Sequence, residues 1–127
     1  MTRYVLDASA VLAVIRDEPG AEIVLNRMSG ALMSTVNVSE TIMRSAEKGF
    51  PLDLVRSLFI SAQVELIDFD MDLAFVAAEL RPATKPRGLS FADRACLALA
   101  IREGATAVTA DRAWSTLDLP CPVELIR

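Results

Sequence analysis

Residues 90–101 read SFADRACLALAI, and this segment decides the fold class of the chain. Ser90 is a typical helix N-cap and Gly104 a typical helix terminator, so the spacing predicts a helix over residues 90–103. Positions 95–101 are all apolar, which leaves this helix without a polar face. A helix that is hydrophobic all round has to be covered on every side. We therefore predict a central, buried helix with other elements packed around it.

Short apolar segments alternate with helical segments along the rest of the chain. Strands are predicted over residues 4–6, 31–35, 64–67, 107–109 and 123–126. Helices are predicted over residues 9–15 with Ser9 as N-cap, 22–28, 37–48, from Pro51 onward, and 71–80 with Asp70 as N-cap. Residues 81–88, which contain two prolines and a glycine, are predicted to form a loop. The alternation is typical of an α/β fold, a three-layer α/β/α sandwich with a central, mainly parallel sheet.

The length of 127 residues fits one domain, which we expect to span residues 1–127. With 53% hydrophobic and 24% charged residues, the composition is that of a protein with a packed core. The longest apolar run, residues 95–101, is far shorter than the roughly 18 residues that a membrane span needs. No clear signal peptide is present at the N-terminus. We expect a cytoplasmic protein that does not contact membranes.

The chain contains no histidine, which excludes catalytic arrangements that use imidazole and zinc sites with histidine ligands. Two cysteines are too few for a zinc site made of cysteine alone. Cys96 is predicted to be a buried core residue, and no structural disulfide with Cys121 is expected. The formal net charge of −4 argues against a protein that coats DNA through a basic surface. Catalysis would have to use carboxylates, hydroxyls, lysine or arginine.

Four acidic residues lie where predicted strands end or the following helices begin: Asp7 after the first strand, Glu40 in the helix after the second, Asp93 in the first turn of the central helix, and Asp111 after the fourth strand. Because the carboxyl ends of parallel strands lie at one edge of a sheet, the four side chains are expected to meet there. Carboxylates in a half-buried pocket repel one another unless a cation neutralises them, and Mg²⁺ or Mn²⁺ prefers oxygen ligands. The pattern predicts a metal site.

Each of these acids also has a purely structural interpretation. Asp93 could complete a capping box with Ser90, Asp7 and Asp111 could cap the helix or turn that follows them, and Glu40 could be a solvated helix residue. Asp68 and Asp70 also follow a strand, but Asp70 suits a helix cap better than a site. The coincidence of four acids at one sheet edge favours the metal site.

Further residues near the acids could support a site. Ser9 and Thr109 lie two positions from Asp7 and Asp111, so their hydroxyls could orient a ligand, although capping and strand packing explain them equally well. Basic residues in the predicted loop and beside the acids could contact phosphates, and the candidates for substrate binding are Arg87, Arg94 and Arg112. The alternative is that these arginines, with Arg81 and Lys85, are only solvated.

Four segments, taken in order, resemble the motifs of PIN domains: residues 1–13 with the core VLDASA, the Ser39-Glu40 pair, LSFADRACLALA over residues 89–100, and VTADRAW over residues 108–114. More narrowly, they are similar to the VapC-type toxins of type II toxin-antitoxin systems. The resemblance covers essentially the whole chain, and each acidic motif position is present. It implies a PIN-like fold and a Mg²⁺- or Mn²⁺-dependent endoribonuclease. Asp7, Glu40, Asp93 and Asp111 would be the catalytic and metal-binding residues, with Ser9 and Thr109 in support.

The same resemblance implies protein partners. A VapC-type toxin would form a homodimer and would be inhibited by a small cognate VapB-type antitoxin, so that DNA would be contacted only indirectly through the antitoxin. Apolar side chains of the first helices are candidates for that contact, although they could equally be core: Val11, Leu12, Ile15, Ile42 and Met43.

The predicted site has a mechanism that needs no histidine. A divalent cation lowers the pKa of water to generate a nucleophile and stabilises the charge that develops on the phosphate and the leaving oxygen. One or two cations are compatible with this hydrolysis, which would leave a 5′-phosphate on the RNA. Two alternatives remain: a metal-dependent phosphatase, against which the lack of an Asp-x-Asp pair after the first strand counts, and a non-catalytic α/β module that binds a protein.

Overall fold

A central sheet of five parallel strands organises the molecule. The computed structural model describes residues 2–127, and Met1, which belongs to the predicted domain and to its first motif segment, lies outside the described residues. The strand order is β3-β2-β1-β4-β5, with bounds β1 Tyr4–Leu6, β2 Leu32–Ser34, β3 Glu65–Ile67, β4 Thr106–Thr109 and β5 Val123–Leu125. Val5 of β1 pairs with Leu32 of β2 on one side and with Ala107 of β4 on the other. All four strand pairs are parallel, which confirms the predicted sheet.

Helices cover both faces of the sheet. Their bounds are α1 Ala8–Arg16, α2 Ala21–Met28, α3 Thr35–Glu47, α4 Leu52–Ser61, α5 Met71–Glu79, α6 Arg81–Thr84 and α7 Phe91–Glu103, with short 3-10 helices at Lys85–Arg87 and Arg112–Thr116. One core cluster contains Leu73, Leu97 and Trp114, and the other contains Val24 and Phe59. Two apolar clusters separated by one sheet make the predicted three-layer α/β/α sandwich.

The central helix α7 is buried as its sequence predicts. Residues 95–100 are all fully buried, and the helix packs against α3, α5 and strands β1, β2 and β4. Its N-terminus is capped by Ser90, and Gly104 ends it in the left-handed conformation with φ 60°. Cys96 is buried within it, and both cysteines are free, so the expectation of no disulfide is confirmed.

The prediction of a loop over residues 81–88 is wrong. The segment forms α6 and a 3-10 helix, and each of its prolines lies at one of the first two positions of a helix, where a missing N–H costs nothing. Thr84 is buried, and its hydroxyl donates to the carbonyl of Leu80 at 2.8 Å, which ties α6 to the end of α5. Pro82 therefore lies at the start of α6 and Pro86 at the start of the 3-10 helix, and Gly88 ends the segment.

Two predicted helix starts are also corrected. Ser9 is not an N-cap, because α1 begins at Ala8 and the Ser9 hydroxyl forms other hydrogen bonds. The helix predicted over residues 37–48 is α3, which begins at Thr35, directly after β2. The Ser34 hydroxyl caps it by accepting from Val36 N at 3.3 Å. Glu40 therefore lies in the second turn of α3.

The burial of the first helices also bears on the predicted antitoxin contacts. Val11 and Leu12 belong to the buried core, so their interpretation as partner contacts is wrong, whereas Met43 is 54% exposed. Ile15 and Ile42 are partly buried against the core. Within residues 2–127, no helix combines the length and the apolar character that crossing a bilayer requires.

Candidate active site

A cleft of about 350 Å³ opens at the carboxyl edge of the sheet, beyond the ends of β1 and β4 and beside α3 and the first turn of α7. All four acidic residues identified in the sequence line it. The complete lining is Asp7, Ala8, Ser9, Glu40, Arg44, Ser90, Asp93, Ala110 and Asp111. The topology of a parallel sheet therefore brings together carboxylates that are distant in the sequence, as their positions after the strands predict.

Asp7 is the most buried of the four acids, with 4% of its surface exposed. Its Oδ2 accepts hydrogen bonds from Ser9 Oγ at 2.7 Å and from Thr109 Oγ1 at 2.9 Å. Its Oδ1 is buried and has no hydrogen-bond partner among the residues that the structure describes. Burial raises the pKa of Asp7 to about 6; the two hydroxyls oppose this shift, and the nearby charges of Asp93 and Glu40 add to it.

Ser9 and Thr109 connect Asp7 to the backbone that leads to Asp111. Ser9 Oγ accepts from Ala110 N at 2.9 Å, and Thr109 Oγ1 accepts from Asp111 N at 3.1 Å. The two hydroxyl oxygens also lie 3.2 Å apart. Both residues predicted to support the site therefore contact Asp7 directly, and they couple its orientation to the segment that follows β4.

Glu40 is paired with a residue that the sequence analysis did not identify. Its Oε2 lies 3.2 Å from Arg44 Nη2, and 17% of the Glu40 side chain is exposed. Burial raises the pKa of Glu40, and the charge of Arg44 opposes this effect. This pair could have been found from the sequence, because Arg44 lies four positions after Glu40 and oppositely charged residues at that spacing are neighbours on a helix.

Asp93 and Asp111 both serve as caps. Asp93 Oδ2 accepts from Ser90 N at 2.9 Å while Ser90 Oγ accepts from Asp93 N at 3.2 Å, which confirms the capping box. Asp111 Oδ1 accepts from Ala113 N at 3.0 Å at the start of a 3-10 helix. Burial also raises the pKa of Asp93, against the hydrogen bonds from Ser90 and with the charge of Asp111. A carboxylate has two oxygens, so capping leaves capacity for a second ligand.

In the observed side-chain conformations, the residues 2–127 contain no group of three Asp, Glu or Cys side chains that could hold a metal ion. Three of the acids have partners of their own, because Asp93 and Asp111 accept from backbone amides and Glu40 is paired with Arg44. The donor chemistry nevertheless fits a hard cation, because all four groups are carboxylates and Asp7 offers a buried oxygen without a partner. Binding would require these side chains to move closer together and Glu40 to give up its contact with Arg44.

Residues 4–119 match the family model of the PIN domain. The chain belongs to the PIN-domain family. A comparison with curated proteins finds no match.

Solved structures with the same fold include three VapBC or VapC structures. VapBC2 from Rickettsia felis, bound to a DNA fragment from the promoter, has a TM-score of 0.72 at 22% identity, covering 97% of this chain and 98% of the other. DNA-bound VapBC from Salmonella typhimurium has a TM-score of 0.72 at 18% identity, with 100% of both chains covered. VapC20 from Mycobacterium tuberculosis, described as a sarcin-ricin loop cleaving toxin, has a TM-score of 0.75 at 18% identity, covering 89% of this chain and 93% of the other. At these identities, the matches show a shared fold.

The basic residues of this PIN domain are less closely grouped than its acids. Arg94 donates to the carbonyl of Ala77 at 3.4 Å, and its guanidinium lies 6.0 Å from the centre of the Phe91 ring. Arg87 and Arg112 are exposed and do not belong to the cleft lining. A role for these three in substrate binding stays a prediction.

Asp70 caps α5 through Leu73 N and pairs with Arg102 at 3.0 Å, which confirms its interpretation as a cap.

Proposed function

We propose that this PIN domain is a metal-dependent endoribonuclease that acts in the cytoplasm as the VapC-type toxin of a type II toxin-antitoxin pair. One observation carries the proposal: four carboxylates line a single cleft, and one of them, Asp7, has a buried oxygen without a hydrogen-bond partner within residues 2–127. A carboxylate in that position is costly unless a cation compensates it. RNA as the substrate class is supported by the fold shared with a toxin that cleaves the sarcin-ricin loop.

Asp7, Glu40, Asp93 and Asp111 would hold Mg²⁺ or Mn²⁺. When bound, the cation supplies a nucleophilic water and neutralises negative charge on the scissile phosphate and the leaving oxygen.

The other residues of the cleft prepare the acids for this role. The Ser9 and Thr109 hydroxyls donate to Asp7 Oδ2, and Oδ1, which has no hydrogen-bond partner within residues 2–127, would be the atom that binds the cation. The Ser90 amide fixes one oxygen of Asp93 at the start of α7, whose N-terminal dipole favours the ionised form of that carboxylate.

The proposal includes two protein partners. A cognate VapB-type antitoxin would inhibit the nuclease and bring it to DNA, which is supported by the shared fold with VapBC complexes. Exposed Met43, with the partly buried Ile15 and Ile42, remains a candidate for that contact. Homodimer formation is supported by an exposed apolar patch on α5, where Met71 is 72% and Phe75 63% exposed.

The decisive experiment is cleavage of total RNA by the purified protein, with mapping of the cut ends. We expect cleavage that EDTA abolishes and Mg²⁺ or Mn²⁺ restores, and at least a hundredfold loss in Asp93→Asn, because a ligand of the cation is removed. Asp53→Asn is the matched control, because Asp53 is an exposed acid on α4 that lies outside the cleft lining. Cleavage that survives EDTA or Asp93→Asn would contradict the proposal.

Two further outcomes address the alternatives. A small phosphate ester that is hydrolysed faster than RNA would indicate a phosphatase. Intact RNA, together with a melting temperature that Mn²⁺ does not raise, would indicate a non-catalytic module. Growth arrest on expression of the chain, relieved by coexpression of a small neighbouring reading frame, would support the antitoxin.

A further inference from the structure

Arg44 supplies a positive charge inside the acidic cleft. Among the residues that line the cleft within the described part of the chain, it is the single basic side chain against four carboxylates. Its Nη2 lies 3.2 Å from Glu40 Oε2. Its charge also reaches Asp93, where it opposes the increase in the pKa of that carboxyl. The cleft therefore contains its own cation, next to two of the proposed metal ligands.

The two members of the Arg44–Glu40 pair differ in how readily they can separate. The Arg44 side chain is 54% exposed, whereas that of Glu40 is 17% exposed. A guanidinium that leaves the pair can be hydrated, because its long stem reaches solvent. Glu40 would be left half-buried near Asp7 and Asp93, where an unpaired negative charge is unfavourable. Arg44 can therefore leave at low cost only when another cation takes its place at Glu40.

The backbone at Arg44 has a hydrogen-bond partner outside α3. The Arg44 carbonyl accepts a hydrogen bond from Arg16 Nη2 at 3.2 Å, which links α3 to the end of α1. Arg16 therefore contacts the backbone of this helix turn and not the Glu40 side chain. A change of partner at Glu40 involves the Arg44 side chain, of which 54% is exposed.

We propose that Arg44 is a resident counter-ion that competes with the divalent cation for Glu40. This inference rests on the proposed function, because it concerns the same site. Without a divalent cation, the guanidinium neutralises Glu40. When Glu40 becomes a ligand, Arg44 is released to solvent, so cation binding is an exchange of one positive group for another. Arg44 then lowers the affinity of the site for the cation.

An ordinary surface ion pair on the same molecule provides the contrast. Arg56 and Asp53 on α4 lie 3.9 Å apart, with side chains that are 75% and 94% exposed. Such a pair contributes little, because both charges remain hydrated whether or not they are in contact. The Arg44 pair differs because its acidic member lines a cleft with three other carboxylates.

The test measures Mn²⁺ binding through the electron paramagnetic resonance signal of free Mn²⁺, which does not depend on catalysis. We expect Arg44→Ala to lower the dissociation constant about three- to tenfold, the range for loss of a half-exposed competing charge. Arg44→Lys retains the charge and is expected to bind close to wild type. Arg56→Ala is the matched control and should leave the affinity unchanged.

A Glu40→Gln background separates competition at Glu40 from the general field of a nearby positive charge. If Arg44 acts by occupying Glu40, the effect of Arg44→Ala disappears when Glu40 is already neutral. An effect that persists in that background, or equal Mn²⁺ affinity in wild type and Arg44→Ala, overturns the inference alone. Absence of Mn²⁺ binding in every variant overturns the inference together with the metal dependence of the proposed function. Failure of RNA cleavage with this binding pattern intact would overturn only the nuclease assignment.

Discussion

Replacement of Asp7 by asparagine should stabilise the metal-free protein at neutral pH while removing its response to divalent cations. Burial raises the pKa of Asp7 from 3.8 to about 6 in the folded state. The unfolded chain therefore releases this proton more readily, and the free energy of unfolding falls as the pH rises from about 4 to about 6. The difference between the two pKa values, 3.8 and about 6, corresponds to about 3 kcal/mol of stability lost by pH 8.

Asparagine keeps the shape of the side chain and removes the charge. Its carboxamide oxygen can still accept hydrogen bonds from Ser9 and Thr109, which now bind Asp7 Oδ2. Repulsion toward Asp93 and Glu40 is removed at the same time. We expect Asp7→Asn to be about 1–3 kcal/mol more stable than wild type at pH 8 in EDTA, with the difference vanishing near pH 4.

Urea denaturation in EDTA at pH 4, 6 and 8 measures this difference. Addition of Mn²⁺ at pH 8 should raise the midpoint of the wild type and leave that of Asp7→Asn unchanged, because binding to the folded state stabilises it. Asp53→Asn, at a fully solvated carboxylate, is expected to follow the wild type throughout. The reasoning is refuted if Asp7→Asn is less stable than wild type at pH 8, or if the gain is as large at pH 4.

Three other substitutions test one residue that contacts Asp7 and two glycines outside the cleft lining. Thr109→Val removes the donor to Asp7 Oδ2 and the acceptor for Asp111 N, so Mn²⁺ affinity and RNA cleavage should fall about 10- to 100-fold without loss of the fold by circular dichroism. Gly20→Ala places a Cβ 2.5 Å from the Ile126 carbonyl oxygen at a φ of +96°, and should destabilise the protein by about 2 kcal/mol or more in thermal unfolding. Gly30→Ala, with φ +79° and open space around the Cβ, should cost only about 1 kcal/mol.

The sheet and the central helix could be predicted because their signals are local and consistent. The apolar run of α7 leaves that helix no exposed face, and Ser90 and Gly104 mark its ends independently. The prediction for residues 81–88 was wrong because proline has two opposite effects on helices. It prevents a helix from continuing, yet it is also favoured at the first position of a new one. The contact of Thr84 with the end of α5 shows that these prolines lie at helix starts.

The positions of the four acids and the capping box of Asp93 with Ser90 could be predicted, but the contacts of the arginines were not. Placement after parallel strands is a property of topology, and topology follows from the alternation of strands and helices. The partner of a side chain depends on rotamers and on burial, which the sequence does not encode locally. The spacing of four positions indicates that Arg44 can pair with Glu40, but not that the pair lies in the cleft. Arg94 is next to Asp93 in the sequence, yet it donates to a carbonyl of α5.

Capping and metal binding, which the sequence sets against each other, are compatible in this structure. Each acid of the cleft has a partner that partly compensates its charge: two hydroxyls for Asp7, a guanidinium for Glu40, and backbone amides for Asp93 and Asp111. Asp7 is the least compensated, because it is the most buried of the four and one of its oxygens lacks a partner within the described residues. The proposed cation would therefore gain most from Asp7 and would have to displace a partner at Glu40. Its affinity would then be set by the difference between these two effects, not by the number of carboxylates around the cleft.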